Sequence, residues 1–173
     1  MDKPEKKTNR RDFLFTASYT LGAVGVGAVV WPLVHQMNPD KAQQALATTE
    51  VDVSQVEPGK SITVLWRGKP VFLKRRTEEE ISEARAVALT DLPDPQKDQE
   101  RVKEGKDEWL VMVGVCTHLG CVPLKDKGDY NGWFCPCHGS HYDVSGRVRK
   151  GPAPKNMEIP KYEFVNNNTI KIG

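Results

Sequence analysis

Cys116-Thr117-His118-Leu119-Gly120-Cys121 and Cys135-Pro136-Cys137-His138-Gly139-Ser140-His141-Tyr142 are the two stretches on which the reading of this chain turns. They hold all four cysteines and three of the four histidines, and only His35 lies elsewhere. The first offers Cys116-x-His118 and the second Cys135-x-x-His138, with residues 119–134 between them. Gly120, Pro136 and Gly139 suit tight loops, from which both side chains of a pair can reach one site. Two thiolates and two imidazoles fit tetrahedral zinc, or a 2Fe–2S centre with both histidines on one iron. The spacing does not separate these. Four clustered cysteines equally allow two disulfides, a metal site, or one of each, and the compartment bears on the choice.

The N-terminus speaks to the compartment. Lys3, Lys6, Lys7, Arg10 and Arg11 precede Phe13 to Val34, a run without a charge. As a helix rising ~1.5 Å per residue the run reaches about 33 Å, enough for a hydrocarbon core of ~30 Å. Gly22, Gly25 and Gly27 are more at home in a membrane helix than a soluble one, and Ala23 with Gly27 is a small-xxx-small pair. Only Lys41 follows closely, beside Asp40, Glu50 and Asp52. The excess of cations before the span predicts a cytoplasmic N-terminus, with residues 35–173 on the far side. Thr8-Asn9-Arg10-Arg11-Asp12-Phe13-Leu14 resembles a twin-arginine export signal, a route for proteins that fold and take up a cofactor before export. Ala45-Leu46-Ala47 is a possible cleavage site, but the apolar run is longer than a signal core of about 7–15 residues. An uncleaved, single-pass anchor is the expectation.

The remaining chain divides by composition. Residues 1–12 are a cytoplasmic segment, 13–35 the transmembrane anchor, 36–49 a flexible tether, and 50–173 one domain. Within it, Ile62, Val64 and Trp66 alternate with polar neighbours, and Arg67-Gly68-Lys69-Pro70 reads as a turn before Val71-Phe72-Leu73, giving a β-hairpin. Thr77 with Glu80 has capping-box spacing, which predicts a short helix over 78–88. Asp91 to Lys106 is charged and proline-containing, and reads as a solvated loop without chemistry. Leu110-Val111-Met112-Val113 is a buried-strand run leading into Cys116. Tyr162 to Val165 and Thr169 to Ile172 bracket Asn166-Asn167-Asn168 as a closing hairpin. The expected fold is mainly β: an N-terminal transmembrane helix, an antiparallel β domain, a small metal-binding insertion near 114–150, and one short helix. A net charge of +2 gives no basic surface for nucleic acid.

Three features favour iron over zinc. Each loop carries one further cysteine, Cys121 and Cys137, and a disulfide between them would clamp the loops and persist outside the cytoplasm. Ser140 and Tyr142 follow the last candidate ligand, and hydroxyls aimed at sulfur stabilise an added electron's charge. A membrane-attached redox centre also has a natural task at the membrane face. The two stretches resemble the two boxes of Rieske iron–sulfur proteins. His138-Gly139-Ser140-His141-Tyr142-Asp143 with Gly146-Arg147 and Gly151-Pro152-Ala153-Pro154 is similar to the bacterial-type Rieske subunits of ubiquinol–cytochrome c reductase, the cytochrome bc complex.

That resemblance implies one 2Fe–2S cluster. It implies Cys116 and Cys135 as ligands of one iron and His118 and His138 as ligands of the other. It also implies a Cys121–Cys137 disulfide, and Ser140 and Tyr142 as donors to cluster and cysteine sulfurs. Leu119 would sit at the apolar tip that docks on the cytochrome b subunit, beside Pro152 and Pro154. His138, with His118 coupled to it, would take hydrogen bond and proton from ubiquinol. The electron would go on to a c-type cytochrome subunit, with proton release and a contribution to the proton-motive force. The complex would be dimeric and lie in the bacterial inner membrane, with this domain periplasmic. The rivals are a soluble Rieske carrier or dioxygenase domain, which usually lacks the extra cysteines and an anchor, and a zinc-dependent interaction module.

Overall fold

The computed structural model describes residues 9–38 and 47–173. The residues 1–8, part of the tether (39–46), Thr8 of the twin-arginine motif, and Ala45-Leu46 of the cleavage-like site lie outside the described residues. Two units are distinct, one ending at Gln44 and one beginning at Ala45.

The first contains helix α1, Arg10–His35. It begins where Asn9 turns extended, and the Asp12 carboxylate accepts from the Asn9 N–H at 3.4 Å. That contact gives one donor at the helix start a partner. Thr16 and Thr20 donate their hydroxyls to the carbonyls of Asp12 and Thr16 at 2.8 Å, so neither leaves an unpaired polar group on the apolar surface. None of the helix is buried against protein, and its mean hydropathy over the best window is 1.7. Among the described residues it is the one helix long and apolar enough to cross a membrane.

The second unit is mainly antiparallel β. Three sheets follow from ten strands. Strands β1 (Thr49–Asp52), β10 (Thr169–Ile172) and β9 (Tyr162–Asn166) form one, in that order. Strands β2 (Ser61–Trp66), β3 (Lys69–Arg75) and β4 (Trp109–Val113) form the second. Strands β5 (Leu124–Lys125), β6 (Asn131–Cys135), β7 (Ser140–Asp143) and β8 (Val148–Lys150) form the third. Helix α2, Glu78–Ala86, is capped by Thr77 and Glu80 in both directions and buries Ile81 and Ala84. It stops at Val87, which is extended, two residues short of the predicted end.

The middle sheet explains why Trp109–Val113 reads as a continuous apolar run. Side chains alternate across a strand, so a strand is apolar throughout only when both faces are covered. Val71, Leu73, Trp109 and Val111 face one core with Val51, Ile170 and Ile172 of the first sheet. Phe72, Leu110 and Met112 face a second core with Trp133, Tyr142, Val148 and Met157. The β2–β3 turn is tighter than its sequence suggested. Only Arg67 and Gly68 lie in it, both at positive φ (50° and 73°), and Lys69 and Pro70 already pair with Trp66 and Leu65. Two left-handed residues match the twist of a two-residue hairpin.

The segment 91–106 departs from its expected solvated character. It contains a 3-10 turn over Asp98–Arg101, and Asp98 and Arg101 are both buried. Asp98 binds Arg76 at 2.5 Å and accepts the Ser145 hydroxyl at 2.5 Å. Arg101 donates to the backbone of residues 145 and 157. Charge alone did not distinguish solvated residues from ones that find internal partners.

Candidate metal centre

The loops that carry the candidate ligands lie at the β4 exit and between β6 and β7. Strand β4 is pinned at its end by Val113 N–H bonding to the Glu158 carbonyl, after which Gly114 passes against the Phe72 ring. A side chain at Gly114 would have its Cβ 2.6 Å from that ring, so the close approach requires glycine. The first loop then closes on itself, Gly120 N–H to Cys116 O at 3.0 Å and Cys116 N–H to Cys121 O at 2.7 Å. The second is a turn in which Gly139 N–H reaches Cys135 O at 2.9 Å, across the Cys135–Ser140 pair of β6 and β7. Cys121 and Cys137 form a disulfide that ties the loops together, with Cα atoms 6.8 Å apart.

Cys116 and Cys135 remain free and buried. The sulfurs of Cys121, Cys135 and Cys137 also lie within 4.8 Å of one another. The disulfide uses two of those three, so that trio offers a metal only Cys135. Cys116 provides the second thiol. The His118 and His138 rings stand edge-on, 4.6 Å between centroids and 84° between planes. His138 is exposed, whereas His118 is half-buried and its Nδ1 is buried without a hydrogen-bond partner. A buried imidazole nitrogen left unpaired calls for an explanation, and a metal supplies one. Two free thiols and two facing imidazoles are the donor set of a 2Fe–2S centre with mixed ligation, so the residues fit such a group.

The surroundings favour negative charge on the Cys116 sulfur. The Tyr142 hydroxyl donates to Cys116 Sγ at 3.2 Å and accepts from the Thr117 N–H at 3.2 Å. Burial works against a Cys116 thiolate, yet the Tyr142 hydroxyl, the His118 backbone, Cys135 and Ser140 together bring its pKa below that of a free thiol. Burial and the neighbouring Cys116 push Cys135 up. Burial, then the bond to Cys116, pushes Tyr142 up to about 12, so it stays a donor at neutral pH. Ser140 is fully buried, and its oxygen accepts the Ala153 N–H at 3.2 Å, which leaves its own hydrogen to give. Leu119 is 71 % exposed at the tip of the first loop. Pro152 and Pro154 are exposed on the neighbouring loop, which Thr117 joins by donating its hydroxyl to the Lys155 carbonyl at 2.7 Å. His141 stands apart, packed on Phe134 and accepting the Asp129 N–H.

Residues 47–163 match the Rieske [2Fe-2S] domain model, well over half of the chain. The chain belongs to the Rieske [2Fe-2S] family. Residues 1–40 match the ubiquitinol-cytochrome C reductase Fe-S subunit TAT signal model. The "Ubiquinol-cytochrome c reductase iron-sulfur subunit" of Rickettsia prowazekii is 52 % identical over 172 residues, 99 % of this chain and 97 % of that protein. The protein of the same name from Rhodospirillum rubrum is 55 % identical over 175 residues, 98 % and 94 % of the two chains. A solved structure titled "Hyperthermophilic respiratory Complex III" superposes with a TM-score of 0.54 at 33 % identity, covering 90 % of this chain and 97 % of its own. Within the Rieske family the chain groups with these iron–sulfur subunits, and its cofactor is a Rieske-type [2Fe–2S] cluster.

Several residues around the Rieske site escaped the sequence reading. Ala153 acts through its backbone N–H, and Thr117 through its N–H as well as its hydroxyl, and no side-chain pattern reveals such backbone donors. Asp143 accepts from the N–H groups of Ser145 and Arg147 at 2.9 Å and pairs with the Arg147 guanidinium at 2.8 Å. The i,i+4 spacing of opposite charges around Gly146 was the one available signal for that pair. Lys74, also buried, bridges Glu80 at 2.6 Å and Asp126 at 3.3 Å.

Proposed function

We propose that this chain is the electron-transfer subunit of a quinol–cytochrome c reductase, with Cys116, His118, Cys135 and His138 holding its cluster. The observation that carries the reading is a pair of free, buried thiols and a pair of edge-on imidazoles carried by two loops that a disulfide joins, with the Tyr142 hydroxyl directed at one thiol. When bound, the cluster supplies a one-electron redox centre. Cys116 and Cys135 serve as thiolate ligands, and Ser140 and Tyr142 donate to sulfur and so favour the reduced state. The Cys121–Cys137 disulfide keeps the loops at a fixed separation. His138, exposed at the tip, accepts the hydrogen bond of a ubiquinol hydroxyl at its outer ring nitrogen and takes the proton. His118 is coupled to the same event. Leu119 and the Pro152–Pro154 loop give this tip an apolar contact for the cytochrome b subunit.

The subunit takes one electron from ubiquinol there and passes it to a c-type cytochrome subunit, and the quinol protons are released on the same side. Residues 1–12 lie in the cytoplasm, 13–35 anchor the chain in the bacterial inner membrane, 36–49 tether it, and the 50–173 domain is periplasmic within a dimeric complex. The names of the relatives, the Tat-signal match and the apolar helix support this arrangement.

The test is the electron paramagnetic resonance spectrum of the dithionite-reduced complex, with quinol oxidation measured alongside. The parent should give a 2Fe–2S signal of low average g-value. Cys116→Ser and His138→Ala should each abolish the signal and turnover, and His141→Ala should retain both. A colourless, zinc-loaded protein, or an intact signal in Cys116→Ser, overturns the assignment.

A further inference from the structure

Arg101 lies outside both ligand boxes, in the 3-10 turn Asp98–Arg101, and is 2 % exposed. Its guanidinium is spent on three backbone carbonyls and one side chain. Nε donates to the Ser145 carbonyl at 2.6 Å, and Nη2 donates to the Met157 carbonyl at 2.7 Å and more weakly to Gly146 at 3.4 Å. Nη1 donates to Gln96 Oε1 at 2.7 Å. The three carbonyls belong to two segments. Ser145 and Gly146 form the turn that leaves β7, the strand carrying Ser140 and Tyr142. Met157 ends the segment after the proline loop, whose Ala153 N–H binds the Ser140 oxygen and whose Lys155 carbonyl receives Thr117. Apart from Arg101, those two segments are joined by the Met157 N–H to the Gly146 carbonyl at 3.0 Å and, beside it, by the Val148 N–H to Asn156 Oδ1 at 2.9 Å.

The turn is held tightly on its other sides. Gly146 has φ +72°, and a Cβ there would lie 3.2 Å from Arg101 Nη2. Asp98, three residues before Arg101, accepts the Ser145 hydroxyl. A planar fork with several donors at fixed angles can hold carbonyls of two segments at once, which an ammonium on a flexible stem does less well. Ser140 and Tyr142 sit between the points Arg101 fixes: β7 ends in the turn, and the proline loop closes over Ser140.

We propose that Arg101 is a positioning residue for the sulfur-directed hydroxyls, tying the β7–β8 turn to the segment behind the proline loop so that Ser140 and Tyr142 keep their aim at the metal centre. The proposal rests on the function proposed above, in which those hydroxyls raise the reduction potential. Loss of the fork lets the two segments part, the hydroxyls lose alignment, and the potential falls. Arg101 touches neither ligand nor quinol.

The experiment is redox titration of the intact, detergent-purified complex, followed by the resonance signal of the reduced centre. Arg101→Lys retains the charge and removes the fork. It should lower the midpoint potential, in the direction of Tyr142→Phe, at full iron content. Gln96→Ala removes one partner of the same guanidinium and should give a smaller shift of the same sign, which keeps the test open where Arg101→Lys does not assemble. Arg67→Gln removes an exposed cation at the β2–β3 turn, outside the network of Asp98 and Arg101, and should leave the potential at the parent value. In the Tyr142→Phe, Ser140→Ala background, Arg101→Lys should add little further shift. An unchanged potential in both Arg101→Lys and Gln96→Ala, or full additivity with the hydroxyl variants, overturns the positioning role. If Tyr142→Phe and Ser140→Ala themselves leave the potential unchanged, the failure lies with the hydroxyl roles proposed above.

Discussion

The two cores of the domain are built on different principles. Val51, Val71, Leu73, Trp109, Val111, Ile170 and Ile172 make the core between the first and second sheets almost wholly from apolar groups, with the Tyr162 ring among them. The core behind the ligand loops mixes Phe72, Leu110, Met112 and Trp133 with two thiols and a tyrosine hydroxyl, and buried Arg76, Asp98, Arg101, Asp143 and Arg147 lie in the same part of the domain. Apolar burial is non-directional and tolerates small shifts. Hydrogen bonds and ion pairs are directional and costly when broken, so they fix orientation where the site needs it. The first core stabilises the domain, and the second orients two loops and two hydroxyls.

The largest expected effect is at the polar side. Asp98 and Arg76 have fully buried side chains, and Arg85 adds a weaker contact at 3.5 Å. Removing one partner of a buried pair leaves an uncompensated charge, so Asp98→Asn should cost about 3–5 kcal/mol. Its pH dependence sharpens the claim. Burial would raise the Asp98 pKa, but Arg76, Ser145 and the charge of Arg147 outweigh it and hold the carboxyl below its ordinary range. A depressed folded-state pKa stabilises the fold above the unfolded value of about 3.9, and the contribution is lost as pH falls toward the folded one. The stability gap between parent and Asp98→Asn, read from denaturant midpoints, should therefore be full at neutral pH and narrow below about pH 4. A gap independent of pH would mean that the carboxylate charge is not what the site uses.

Next comes the apolar core. Leu73 is fully buried there, and Leu73→Ala should cost about 3 kcal/mol through lost transfer energy and a cavity. The contrast lies in the second measurement. The resonance signal and midpoint potential of the folded fraction should match the parent, because Leu73 faces away from the ligand loops. A shifted potential would show that the two cores are mechanically one.

How much of this was legible in the sequence differs between the two cores for the same reason. Period-two alternation in Ile62–Trp66 and the unbroken run at Leu110–Val113 announced the apolar core, because burial depends on residue type. Thr77 and Glu80 announced α2 through local capping. The boxes announced a metal site through the density of cysteine and histidine, and the resemblance implied which cysteines were clamp. The buried charges of 91–106 were not legible. Asp98 meets Arg76 and Ser145, and Arg101 meets Met157, across separations of 22 to 56 residues. Such partners are set by the tertiary fold, and apart from Gln96 the partners of Arg101 are backbone carbonyls, which no pairing of side chains in the sequence reveals. The Arg67–Gly68 turn was legible as a turn but not in length, since Pro70 is an ordinary strand residue wherever its missing N–H is not needed.

The smallest effect on stability should carry the largest information about the site. Tyr142→Phe removes one hydroxyl and keeps the ring in its core, so the fold should lose only about 1 kcal/mol. Three consequences separate this from a packing change. Cys116 loses its 3.2 Å donor, so the midpoint potential should fall. The Thr117 N–H loses an acceptor at 3.2 Å, so its exchange with solvent should accelerate. The Thr117 hydroxyl keeps its bond to Lys155 O, so the loop should stay in place, and the iron content of the complex should equal the parent's. Quinol oxidation should slow in proportion to the lost driving force. A slower enzyme with an unchanged potential would make Tyr142 a packing residue of the second core, no different in kind from Leu73 in the first.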